Sequence, residues 1–474
     1  MRLVVSLAVV LLALPGSGTA SARQSAEGGD WTRFGYDAAR SSSGPGRTAI
    51  TAGNAGKLER QRVGLEGTVD SSAIYLRGAR IGGGAHDAFF VTTSYGKTLA
   101  IDADTGRALW RFTPMGYKGW AGSSQITQAT PVADPGRRFV YAVSPNGRVH
   151  RLAVANGREA PGWPVAVTRD PSHEKIAPAL NFSRGLVLVA TGGYIGDAPP
   201  YQGHVVAIDA RRGRIVSVWN SLCSDRSGVI EPSSCEESGS AIWARSGVVV
   251  DPVTRNLLVA TGNGRFDGKR YWGDSVLMLA PRGGRLLQNW TPQDQADLEA
   301  GDVDLGSTAP ALVGSRLAVQ SGKDAKLRLL DLRRLNGHGG ADPTTGGELQ
   351  TVRLDGGLFS APAVWRSAGR TWIFVSTDGG TRAFQLRTRR LQPVWKSTRG
   401  STSPVVSGGL LYVYDADLGG LSVLRPTTGQ LVANLPAGPG HWNSPIVTDG
   451  RIALPEGSAN DHGERGVLDI YRLP

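Results

Sequence analysis

Five stretches of the chain are worn copies of one another. Residues 100–110 read AIDADTGRALW, residues 205–219 VVAIDARRGRIVSVW, and residues 275–290 SVLMLAPRGGRLLQNW. Residues 381–395 read TRAFQLRTRRLQPVW and residues 421–435 LSVLRPTTGQLVANL. Each is an apolar strand, a turn, and a second strand that in most copies ends in Trp. The alternation of Leu99, Ile101 and Ala103 suits a strand with one buried face. Asp104, Thr105 and Gly106 make a tight turn, because Gly accepts positive φ and Asp or Thr bonds nearby backbone. Trp110 then falls on the return strand, where its flat ring can bury against the next unit. One such hairpin cannot cover its own apolar face, so several must stack. The repeat therefore constrains the architecture before any motif is read.

A second element precedes each hairpin: a small residue, Pro, then a strand. It recurs at Pro131, Pro178, Pro310, Pro362, Pro404 and Pro445, with worn versions beginning at Ser71 and near Trp243. Pro is tolerated at the first residue of a strand, where no ladder donor is lost. The count comes to eight modules. With 65 Gly and 27 Pro and no long amphipathic helical pattern, the class is all-β. The last module ends at residues 467–471 without a Trp-bearing return strand, while residues 58–65 offer a spare strand ahead of the first. A first strand that completes the last blade closes the ring and removes its open edges. The expectation is an eight-bladed β-propeller over residues 58–474, closed by its N-terminal strand, or a seven-bladed one should two modules merge.

Residues 1–22 read as a secretory signal: Arg2, an apolar run over residues 3–14, and an A-x-A site at Ala20 and Ala22. Residues 23–57 then form an N-terminal extension. No apolar stretch is long enough to span a membrane, and no Cys follows the signal core to take a lipid anchor. The expected product is secreted or periplasmic and monomeric. Cys223 and Cys235 are expected to form one disulfide in that oxidising setting, a redox-active pair being the alternative. The net charge of +12 is scattered through turns without a clustered stripe, which argues against nucleic acid. Dispersed His residues and the absence of a G-x-S-x-G elbow argue against a zinc site or a hydrolase triad.

The A-x-D-x-x-T-G-x-x-x-W element with its S/T-P strands resembles the pyrroloquinoline quinone (PQQ) repeat. That repeat is shared by quinoprotein alcohol dehydrogenases and by non-catalytic propellers of outer-membrane assembly. The opening Asp30 to Gly35, DWTRFG, is similar to the start of the dehydrogenases, and residues 239–323 are similar in order to those acting on polyvinyl alcohol. The resemblance implies that Trp243 lies under a planar quinone and that Asn263 ligates calcium. It also implies that Asp302 or Asp304 is the catalytic carboxylate and that Lys323 meets the quinone oxygens. These types suit the chemistry. A flat cofactor needs an aromatic floor. Calcium takes carboxylate and amide oxygens and polarises a carbonyl. A carboxylate accepts the alcohol proton as hydride leaves for the quinone.

Each residue also has a plain structural reading. Trp243 could be blade core, Asn263 a hairpin turn residue, Lys323 a surface lysine, and Asp294, Asp297, Glu299, Asp302 and Asp304 a solvated acidic loop. Departures from the dehydrogenase pattern are several. The calcium-binding Glu expected before Gly203 is missing, leaving only Asp197. The adjacent Cys pair is replaced by Ser94 and Tyr95. No matching Arg stands in residues 118–130, Asp70 is a weak match for the first-module acid, and no haem-attachment motif exists. His441 is read as a turn residue, with a place in the channel as the alternative. The expectation is an exported binding or scaffold propeller with an incomplete quinone site and an unknown protein or small-molecule ligand. The alternative is a soluble PQQ- and calcium-dependent alcohol or sugar dehydrogenase.

Overall fold

The computed structural model describes residues 28–335 and 345–474; the signal segment, residues 1–22, lies outside the described residues. Eight four-stranded antiparallel sheets follow one another along the chain as the blades of a propeller. Blade 1 comprises Ile74–Ile81, Gly84–Thr92, Thr98–Asp102 and Ala108–Phe112. In blades 1–7 the strand order within the sheet is the chain order. The first strands of neighbouring blades, such as Ala311–Val313, Ala363–Ser367, Val405–Ser407 and Ile446–Thr448, pack on each other and so surround the axis. Pro131, Pro310, Pro362, Pro404 and Pro445 stand immediately before their first strands, and Pro178 three residues before Asn181, instead of occupying the strand's first position. The missing donor therefore falls in the connection, where no ladder bond is lost.

Blade 8 closes the ring. Its sheet runs Ile446–Thr448, Arg451–Glu456, Gly466–Arg472 and then Glu59–Leu65, with Glu59 opposite Arg472 and Leu65 opposite Gly466. Residues 29–50 are tied to the inner strands as well. Trp31 and Tyr75 exchange backbone bonds of 2.8 Å, and Ala133, Val250 and Val364 donate N–H groups to Thr32, Ala38 and Ser41. The N-terminal segment thus reaches blades 1, 2, 3, 4, 6 and 7 besides blade 8.

The repeat's Trp and Gly interlock from blade to blade. Trp110 of blade 1 is buried, its Nε1 donates to Val154 O at 2.8 Å, and its ring lies where a Cβ on Gly157 of the blade 2 turn would be, 2.6 Å away. Trp395 of blade 6 meets Gly429 of blade 7 in the same way and donates to Pro426 O at 2.8 Å. Gly157 and Gly429, with φ of 70° and 71°, hold the turn conformation that also leaves room for the indole. At the seam, Gln61 and Val63 of the N-terminal strand pack on Gly106 of blade 1, where an indole would otherwise lie. Losing one such buried Trp to Ala costs about 3–5 kcal/mol.

Cys223 and Cys235 are joined as a disulfide, with Cα atoms 6.1 Å apart. Among the described residues, no helix is long and apolar enough to cross a membrane.

Candidate ligand site at the propeller axis

In an up-and-down sheet, the connections from one blade to the next and the loops between second and third strands emerge on the same face. Those loops converge on the axis and enclose a cavity of about 470 Å³. Lys175 and Trp243 come from inter-blade connections, as do Asp302, Asp304 and Trp442; Lys323 comes from a loop of blade 5.

On one wall lie the residues of the acidic segment. Asp304 is buried while Asp302 is exposed, and the Lys323 ammonium bridges them, 2.6 Å from Asp304 Oδ2 and 3.0 Å from Asp302 Oδ1. The other Asp304 oxygen accepts from the Asn263 N–H at 2.8 Å. Burial raises the Asp304 carboxyl, against the pull of Lys323. Burial opposes the Lys323 charge, but its two carboxylate partners hold it above the ordinary lysine range. Gly262 separates Asp304 from Trp243: a Cβ there would lie 2.0 Å from Asp304 Oδ1 and 3.1 Å from Trp243 Nε1. Only Gly allows that close approach. The segment expected to be a plain solvated loop carries a short helix, Gln295–Ala300, that buries Leu298.

Behind this wall, Asn263 Nδ2 donates to Leu298 O at 3.2 Å, while its Oδ1 is buried without a partner. Asp274, fully buried, accepts from the Leu305 N–H at 3.0 Å through Oδ1, and its Oδ2 is unpartnered. Burial, with Asp304 and Glu299 nearby, pushes its carboxyl up to about 8.

A second charged group adjoins the cavity through Gln128, Lys175 and His441, and only part of it was suggested by the sequence. Asp70, 1 % exposed, accepts from His441 Nδ1 at 2.7 Å, from Gln128 Nε2 at 2.9 Å and from the Trp442 and Ala459 N–H groups. Burial would raise this carboxyl, but the His441 bond, the His441 and Arg245 charges and the Gln128 bond hold it far below the usual range. Arg245 Nη2 donates to Asp70 O at 2.8 Å, and Lys175 Nζ to Gln128 Oε1 at 3.2 Å. Burial lowers both cations, Arg245 to about 10 and Lys175 to about 8.

Lys175 is placed by a short ladder outside the blades, Glu174–Lys175 against Gly192–Gly193. The ladder is anchored by Glu174, which lies 3.1 Å from His204 Nε2 in full burial. His441 is therefore both a turn residue, its N–H bonded to Asn443, and a cavity residue.

Over these charges lies an aromatic stack. Trp243 and Trp442 are 5.4 Å apart at 20°, and His441 stacks on Trp442 at 4.7 Å.

These residues allow a test of fit for the groups that the repeat implies. A calcium ion is poorly served. Both Asp304 oxygens are committed, Asp197 instead accepts from the Tyr201 hydroxyl at 2.9 Å, and Asn263 Oδ1 is the one orphaned acceptor of that set. Among the described residues, no three His, Cys, Asp or Glu side chains converge as a metal site. A flat tricarboxylate quinone finds cations in Lys175 and Lys323, but Trp442 already covers one face of Trp243. Intercalation between those indoles would need about 7 Å, twice the ~3.5 Å contact distance.

Comparison with known proteins agrees with the architecture. A family model described as outer membrane protein assembly factor BamB matches residues 46–221. Quinohemoprotein alcohol dehydrogenase ADH IIB of Pseudomonas putida is 26% identical over 239 residues, 45% of this chain and 34% of that protein.

The chain is an eight-bladed β-propeller with PQQ-like repeats.

The quinohemoprotein alcohol dehydrogenase of Comamonas testosteroni shares this propeller at a TM-score of 0.67 and 17% identity, covering 95% of this chain and 81% of that one. BamB from Moraxella catarrhalis superposes at 0.51 and 14% identity, over 87% of this chain and 98% of that one. At such identities the likeness is one of fold. The matched part spans less than half the length of the curated relatives.

Proposed function

We propose that this PQQ-repeat propeller is an exported binding module that takes a small polar ligand in its central cavity, on a quinone site that is not completed for calcium-assisted oxidation. One observation carries the reading. Lys323 is ion-paired with both Asp302 and Asp304, where a dehydrogenase would need a free carboxylate beside a metal-polarised quinone. The Trp442 ring on Trp243 supports it. Export rests on the N-terminal segment and the disulfide. The test is to add PQQ, with and without calcium, to purified protein, to record retained cofactor absorbance after dialysis, and to assay dye reduction with a panel of alcohols and sugars. No turnover is expected with either addition. Calcium-dependent turnover would overturn the binding reading.

A second reading, a quinoprotein dehydrogenase, is favoured by the juxtaposition of Trp243, Asn263, Asp304 and Lys323 around Gly262. When bound, the quinone would supply hydride acceptance. The chain's part would be to hold the alcohol proton on Asp302 or Asp304 and to place Lys323 against developing negative charge. Asp302→Asn and Asp304→Asn would separate the two carboxylates; unchanged turnover in both would remove this reading.

A further inference from the structure

A smaller cavity of about 260 Å³ adjoins the central one, sharing Phe359, His441 and Trp442 with it. Arg245, Ser360, Thr402 and Ser403 line its buried part, and the exposed Asp378 and Asp417 line it on the solvent side. Arg245 lines only the smaller cavity and Lys323 only the larger, so variants of these two residues separate a ligand held here from one in the central site.

Arg245 is 3 % exposed, and its one hydrogen bond runs from Nη2 to Asp70 O; Nε and Nη1 have no acceptor among the described residues. The Thr402 hydroxyl is also buried without a partner. Leaving N–H groups of a buried cation unsatisfied is costly, and the group that relieves the cost is an anion with paired acceptor oxygens. The local charge balance agrees. Asp70 is the one carboxylate whose charge acts on both buried cations, Arg245 and Lys175, with Asp197 adding to it at Lys175. Asp378 and Asp417 set the other end. They repel a second carboxylate and accept from hydroxyl groups.

We propose that this second cavity binds a small hydroxylated monocarboxylate, its carboxylate received by Arg245 and its hydroxyl groups by Thr402 and the aspartates near solvent. The Trp442 ring lies 5.3 Å from the Arg245 guanidinium carbon, so occupancy is readable in tryptophan fluorescence.

The experiment is calorimetric and fluorescence titration of the full chain with glycolate, lactate and glycerate, and with the neutral amide of glycerate as control. Saturable binding is expected for at least one acid, strongest for glycerate, and none for the amide. Arg245→Met should weaken it at least about tenfold, and Thr402→Val by a few fold. Lys323→Met should leave it unchanged. If Arg245→Met does not fold, Arg245→Lys keeps the charge but loses the planar fork, and it too should weaken binding about tenfold. The proposal falls if no acid saturates by about 10 mM, or if the amide binds equally. It also falls if the Arg245 variants bind like wild type, or if Lys323→Met rather than an Arg245 variant abolishes binding.

Discussion

Two charged groups share the open face of this propeller, and they are built on opposite principles. The Asp302, Asp304 and Lys323 group sets two carboxylates on one ammonium, with Asp302 exposed to solvent. The Asp70, Arg245 and Lys175 group sets two cations about one carboxylate, all of them buried. The first keeps one unbalanced negative charge, which the exposed Asp302 holds in water. In the second, Asp70 acts on both cations, and Asp197 adds to it only at Lys175. Charge that is satisfied by its own neighbours is weak support for chemistry; charge left unbalanced in burial asks for a partner. The anion proposed above therefore belongs with Arg245, away from the acidic segment that draws attention in the sequence.

The contrast between the two groups breaks most readily at Asp70. Asp70→Ala strips acceptors from His441, Gln128, Trp442 and Ala459, and should cost about 3–5 kcal/mol in urea unfolding. A loss below about 1 kcal/mol would mean that the buried group is not held as described. Lys175 sharpens the case for surplus charge. Its folded value is lowered to about 8 from 10.5, so between those values the unfolded chain binds the extra proton and wild type should gain stability as pH rises. Lys175→Met should lack this rise, of order 1–3 kcal/mol, and equal slopes for the two proteins would count against it. Behind the other wall, Asp274 titrates at about 8 instead of 3.8, so wild type loses stability as pH rises through that window. Asp274→Asn should match wild type near pH 4 and lead it by about 5 kcal/mol at pH 8, with little further gain above. Asn suits the site because residue 274 has a φ of 45° and keeps an acceptor for the Leu305 N–H. The smallest effect belongs to Asp302→Asn. Its exposed pair with Lys323 should be worth less than about 0.5 kcal/mol, checked by a shift in the thermal midpoint.

The blades were legible because their signal is local. Strand alternation, turn glycines and the return-strand Trp recur within about fifteen residues, and each serves contact with a like neighbour. Even the missing eighth return strand announced the role of residues 59–65. The order Trp243, Asn263, Asp302, Asp304 and Lys323 was visible for the same reason, since those residues come from blades adjacent in sequence. What their order could not show was that Asp304 turns inward and Asp302 outward, that Asp197 is engaged by Tyr201, or that Trp442 arrives from the far end of the chain to lie on Trp243.

By itself, then, the sequence determined the all-β class, the eight blades and their closure, because packing between like modules depends on spacing alone. The tertiary structure decided the character of the axis. Asp70, Gln128, Lys175, Arg245 and His441 sit in five different inter-blade connections. Ring closure brings these distant loops to one point, and burial there turns ordinary charged residues into an unbalanced group.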